Sequence, residues 1–136
     1  MELNVEAANE RLSGCFPQLL GMRFTEIQPQ RIVCELPVRG ELLAPNGFLH
    51  AATVIGIADT ACGFGSLASL PEGAENFTTI ELKSNFLGTA HDGVLKAIAT
   101  LAHGGRSTQV WDAEVFHDSG RRIAAFRCTQ MILYPK

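Results

Sequence analysis

NGFLHAATVIGIADTACGFGS, residues 46 to 66, decides how the chain is read. Almost every residue in it is apolar or small, yet Asp59 stands in the middle, nine residues after His50. From about residue 48 to residue 67 the apolar side chains fall all round a helical projection, as a fully buried helix requires. On either side the pattern changes to alternation. Ile32, Cys34, Leu36 and Val38 interleave with Arg31, Val33, Glu35 and Pro37. With residues 22 to 27 they predict a hairpin about Gln28-Pro29-Gln30. Four more strands follow the helix. They run through Ile80, Leu82 and Phe86; Leu95, Ala97, Ala99 and Leu101; Trp111, Ala113 and Val115; and Ala124, Phe126, Cys128, Ile132 and Tyr134. Turn signals at 88–93, 103–105 and 118–120 separate them, and residues 3 to 13 read as a short amphipathic helix ending near Gly14.

Short connections imply antiparallel neighbours, and each strand has one apolar face that something must cover. The long apolar helix is the only element able to do so. The expected architecture is therefore α+β: a single antiparallel sheet of about six strands wrapped around a central helix, the hotdog fold.

Length and charge narrow the class. The 136 residues suit one domain, 1–136, and no repeat, low-complexity tract or linker marks a boundary. With 11 Lys+Arg against 14 Asp+Glu the formal net charge is -3, and no basic run interleaves with aromatics, so nucleic acid is not an expected partner. Residues 1 to 13 lack the layout of a signal peptide, and no apolar run approaches the roughly 20 residues of a membrane span. A soluble, cytoplasmic protein without a membrane partner is expected. Cys15, Cys34, Cys62 and Cys128 occur singly, without a CxxC pair, and read as buried free thiols. His91, His103 and His117 fall at separate turns and form no metal set, so neither metal nor cofactor is expected.

Asp59 then becomes the question. An ionised carboxylate buried without a partner costs several kcal/mol or takes up a proton. In mid-helix the backbone donors are already used, so Asp59 has no cap to make. It must reach an outside donor, of which Arg106 is one candidate, or a cavity. The start of the same helix offers the complementary chemistry, because its first N–H groups lack intrahelical partners and carry the positive end of the helix dipole. Such an end holds an anion or a developing oxyanion. His50 and Asp59 are separated by about 13 Å of rise and about 180° of rotation, so one helix does not bring its own two ends of chemistry together. Two antiparallel copies in a dimer do, and a twofold axis makes such sites in pairs.

These residues resemble a known family. HAATVIGIAD at 50–59, followed by Thr60 and Ala61, is similar to the HGGxxxxLAD(T/S)A helix of the PaaI-like hotdog acyl-CoA thioesterases. The likeness continues through FTTIELKSNFLG at 77–88 and GRSTQVWDAEV at 105–115 to the last strand. It implies hydrolysis of a coenzyme A thioester with an aryl, phenylacetyl-like or medium-chain acyl group. Asp59 would be nucleophile or general base, the Ala51 N–H the oxyanion donor, and His50 the residue that orients that turn. Asn46 would match the family's amide and Thr79 its hydroxyl at the start of the third strand. The resemblance implies a homodimer, assembled further into a homotetramer. Two departures stand out: the paired glycines are here Ala51-Ala52, and the turn before His50 is about two residues shorter.

Gly105, Arg106 and Ser107 at a hairpin tip offer charge and flexible backbone to the phosphates of coenzyme A; a solvated turn explains them as well. Asn46 likewise has a turn reading, as half of an Asn-Gly pair. Cys62 lies one turn past Asp59 without a basic neighbour in sequence and is not expected to be a nucleophile. Two other functions fit the same fold. An acyl-thioester hydratase or dehydratase needs a histidine and an acid that converge; within one helix they face apart, and only a pair across two subunits would serve. A non-catalytic acyl-CoA binder would keep the fold and release no thiol.

Overall fold

A computed structural model describes residues 3–136. Two short helices, α1 (Val5–Glu10) and α2 (Phe16–Leu20), precede a hairpin of β1 (Arg23–Gln28) and β2 (Arg31–Pro37). After a 3-10 turn at Gly40–Leu42 come α3 (Ala51–Ala68), β3 (Asn76–Phe86), β4 (Val94–Gly104), β5 (Thr108–His117) and β6 (Arg122–Leu133). All five strand pairings are antiparallel, in one six-stranded sheet of order β1-β2-β4-β5-β6-β3. The sheet curls around α3, as a hotdog fold does.

Alternation explains which side chains meet the helix. Ile32, Cys34 and Leu36 of β2, Leu95, Ala97 and Ala99 of β4, Trp111, Ala113 and Val115 of β5, and Ala124, Phe126 and Cys128 of β6 are all buried. They close on Val54, Ile57, Ala58, Ala61 and Cys62 of α3. Trp111 is the largest wholly buried side chain, and its ring lies so close to Gly65 that a Cβ there would stand 2.5 Å from it. By length and composition α3 would qualify as a membrane span, contrary to the expectation from the sequence, but it lies against the sheet with half of it buried.

Three features depart from the sequence reading. The helix expected over residues 3 to 13 stops at Glu10, and α2 follows as a separate turn of helix with Pro17 in its first turn and Gly21, at φ 90°, closing it, so that Cys15 at its start is exposed and not buried as expected. Leu20 and Phe16 of α2 pack on Gly56. The link between β3 and β4 is not a hairpin. Instead, β3 pairs with β6 at the far edge, while β4 pairs with β2. Leu87 and Gly88 both donate to the Ile123 carbonyl, which sends the chain away from β3 rather than back along it. Finally, the alternation of β3 is interrupted by a bulge at Ile80. Thr79 therefore pairs with Gln130, and Leu82, Ser84 and Phe86 pair with Cys128, Phe126 and Ala124, on the face toward α3.

Candidate active site

The helix start is held from several sides. His50 is the N-cap of α3, and its Nδ1 accepts from the Ala52 N–H at 2.9 Å. That bond places the imidazole proton on Nε2. The His50 N–H donates to the Leu42 carbonyl at 3.1 Å, and the Thr53 hydroxyl donates to the same carbonyl at 3.0 Å. Leu49 donates to Thr89 Oγ1 at 3.0 Å, so the β3–β4 link pins the turn from the other side. His91 Nδ1 meets the Gly47 carbonyl at 2.7 Å. Among the described residues nothing accepts from the Ala51 N–H. Ala51 and Ala52 are exposed, so this free donor at the positive end of an 18-residue helix is open to a ligand.

Asn46 lies just before this turn, where its Oδ1 accepts from the Phe48 N–H at 3.3 Å. The structure thus finds it in a local Asx turn, with its side chain exposed.

Asp59 is half-buried two turns further along α3. Thr79 Oγ1 lies 3.2 Å from Asp59 Oδ1, and the Gln130 amide lies 2.7 Å from the same hydroxyl. No lysine, arginine or histidine pairs with Asp59 among the described residues. Burial raises its pKa above the ordinary carboxylate value, and the Thr79 hydrogen bond offsets part of that rise. The candidate partner Arg106 is elsewhere: its guanidinium lies 5.2 Å over the Tyr134 ring. Cys62 is buried, and burial foremost holds its thiol well above its usual pKa, as burial pushes Cys34 up to about 12. Neither is a thiolate nucleophile at neutral pH.

Between α2 and the start of α3 lies a groove of about 410 Å³, lined by Phe16, Leu19, Leu20, Leu42 and Leu43 with His50, Ala52 and Thr53. Phe16 and Leu19 are exposed there. Gly105 and Arg106 line a second cavity, of about 480 Å³, beside Ser69 at the opposite end of α3. Ser107 and Arg106 are exposed, and Tyr134 donates to the Arg106 carbonyl at 2.5 Å. Within one chain, this tip does not meet His50 and Ala51. Two supports escaped the sequence reading. Thr89 carried no signal, but Gln130 did: it is a polar residue at an inward position of the alternating run Cys128, Gln130, Ile132.

Residues 46–124, more than half of the chain, match the sequence model of the thioesterase superfamily. The chain belongs to that superfamily. The 1,4-dihydroxy-2-naphthoyl-CoA hydrolase of Escherichia coli is 28% identical over 134 residues, covering 97% of this chain and 96% of that protein. The thioesterase PA1618 of Pseudomonas aeruginosa, solved as a glutamine-to-alanine mutant, superposes with a TM-score of 0.93 at 24% identity, covering 99% of this chain and 97% of the other. The PaaI protein of the E. coli phenylacetic acid degradation operon superposes with a TM-score of 0.79 at 21% identity, over 86% and 83% of the two chains. At those identities the superpositions show the shared hotdog fold.

Proposed function

We propose that this chain is an acyl-CoA thioesterase whose site is shared between two subunits. The observation that carries the reading is Asp59 itself, a half-buried carboxylate in mid-α3 with no cation against it among the described residues, held by one hydroxyl. A thioester carbonyl needs a nucleophile or base on one side and donors for its oxygen on the other. Asp59 supplies the first, by attack or by taking the proton of an attacking water. The free Ala51 N–H, with the helix dipole behind it, supplies the second. His50 keeps that N–H aimed outward by capping its neighbour. Eight residues of helix separate Ala51 from Asp59, about 12 Å of rise, too far for one carbonyl to touch both. The second α3 must come from another copy.

The edges of the sheet support that assembly. At the β1 edge, the Asn9 side chain bonds both the N–H and the carbonyl of Phe24, at 2.7 and 3.1 Å, and so blocks further pairing. Among the described residues the β3 edge has no such cover, and Ile80, Leu82 and Phe86 are 52%, 38% and 46% exposed along it. A long apolar open edge invites a strand from a second copy. The apolar groove beside Ala52 suits an aryl, phenylacetyl-like or medium-chain acyl group, in keeping with the aromatic acyl-CoA named for the E. coli relative. Gly105, Arg106 and Ser107 are offered to the coenzyme A phosphates.

A thiol-release screen over benzoyl-, phenylacetyl-, hydroxynaphthoyl- and octanoyl-CoA tests the reading. Release of free coenzyme A from at least one, abolished in a folded Asp59→Asn variant, is the expected result. Binding of coenzyme A without release would make the chain a binder, and hydration without release a hydratase.

A further inference from the structure

The Thr79 hydroxyl carries one proton but has two neighbours, Asp59 Oδ1 at 3.2 Å and the Gln130 amide at 2.7 Å. Gln130 is wholly buried, and the other end of its amide stands 3.4 Å from Cys128 Sγ. With the amide oxygen toward Thr79, the hydroxyl donates to Gln130 and leaves Asp59 only a lone pair. A protonated Asp59 satisfies that arrangement, because its O–H then donates to Thr79. Turning the amide over presents an N–H instead. The hydroxyl now accepts from Gln130 and donates to Asp59, an arrangement that an ionised carboxylate satisfies. At the far end the Cys128 thiol suits both, since a thiol both donates and accepts weakly.

We propose that Gln130 is a positioning residue for Asp59, its amide turning over through the Thr79 hydroxyl as the carboxyl gains or loses its proton. The inference rests on the reading of Asp59 as the catalytic group. The proton count balances: Asp59 gains one proton, the three hydrogen bonds from Asp59 to Cys128 reverse direction, and no other group changes charge. Both charge states are thereby satisfied inside a buried network, where a half-satisfied one would favour a single state.

Few other groups compete for control of Asp59. The titratable side chains beside it are thiols: Cys62 on α3 and Cys128 on β6, with Cys34 on β2 beyond them. On the strands around α3 the charged residues alternate away from the helix. They are Arg23 and Glu26 on β1, Arg31 and Glu35 on β2, Glu81 and Lys83 on β3, Lys96 on β4, Asp112 and Glu114 on β5, and Arg122 and Arg127 on β6. His103 and His117 sit at strand ends, and α2 carries no charge.

The test is an NMR titration of the Asp59 carboxyl carbon, which needs no turnover and stays readable even if Asp59 proves not to be catalytic. Gln130→Met keeps length and apolar volume but has no N–H to feed Thr79. The ionised form loses its support, so the midpoint is expected to rise by roughly half to one pH unit. In a Thr79→Val background the same change is expected to move nothing, because the hydroxyl that carries the effect is gone. In the unsubstituted protein the Gln130 side-chain amide protons are expected to shift with the Asp59 midpoint, a readout that needs no folded variant. An unmoved midpoint in folded Gln130→Met, an equal shift with and without Thr79, or amide protons indifferent to the titration would each overturn the proposal. The catalytic reading falls separately, if Asp59→Asn retains thiol release.

Discussion

At Asp59 two effects pull in opposite directions: burial disfavours the charge and Thr79 favours it, and burial wins. The sign for stability follows. The folded pKa lies above the unfolded one, so between them the native state binds more protons than the unfolded state. Stability is full below the unfolded value and falls as pH rises through the folded one. Asp59→Asn removes that loss. Thermal melts are therefore expected to show the variant more stable than the parent at pH 7 and no more stable at pH 3; a lower melting point at pH 7 would contradict the sign. Activity runs the other way. Replacing the charge while keeping shape is expected to lower kcat by at least roughly a hundredfold, the scale of general-base catalysis, and thiol-release assays measure it. The same ionisation places the acid limb of the rate profile above the ordinary carboxylate range. At this scale the sequence revealed that Asp59 needed a partner but not which one. Thr79 came from family resemblance, while simple alternation turned it outward, because a bulge at Ile80 leaves no mark in composition.

Among the elements, α3 is the one on which the others depend, and it was also the most legible, because 18 nearly uncharged residues have no stable place except inside a sheet. Its glycines were less so. Gly65 reads as a helix weakness, but its hydrogen is all that fits under Trp111, whose indole N–H is tied to Gln109 Oε1 at 2.8 Å, with Gln109 tied in turn to the Ser69 carbonyl at 2.9 Å. Alanine gains about 1 kcal/mol of helix propensity, while overpacking a core costs about 1 to 3 kcal/mol. With the ring tied through its N–H to an amide that is itself held at both ends, the second term wins. Gly65→Ala is expected to destabilise the fold by about 1 kcal/mol in urea unfolding; a stabilised variant would mean that Trp111 is free to move. The strands were legible from period two alone, but strand order was not. The sequence distance from β3 to β4 suits a hairpin, and only the hydrogen bonds of Leu87 and Gly88 to Ile123 reveal the crossing to the far edge. α2 escaped because five residues are too few for a period to show.

At the scale of the whole molecule, the crossing of β3 leaves the strand nearest Asp59 as the open edge of the sheet. Charges placed on it should prevent a second copy from adding its strand: Ile80→Lys with Leu82→Lys is expected to give a monomer by sedimentation equilibrium and to lose most thiol release. A folded, fully active monomer would confine the site to one subunit. Complementation tests the shared site more sharply, and the helix start permits a clean variant. Ala51 is the first residue of α3, its N–H has no partner among the described residues, and His50 before it lies at φ -67° and ψ 134°, a conformation that a following proline favours. Ala51→Pro therefore deletes the proposed oxyanion donor and is expected to leave the helix intact, at a cost of about 10² to 10³ in kcat. Mixed with Asp59→Asn, it is expected to form dimers in which one of the proposed shared sites carries both defects and the other carries none. That second site takes Asp59 from the Ala51→Pro subunit and a free N–H from the Asp59→Asn subunit. Tag-selected mixed dimers are expected to recover towards half of the unsubstituted activity, well above either parent. If they form and recover nothing, Asp59 acts within its own subunit, and the carbonyl oxygen must be held by donors other than the start of a second α3.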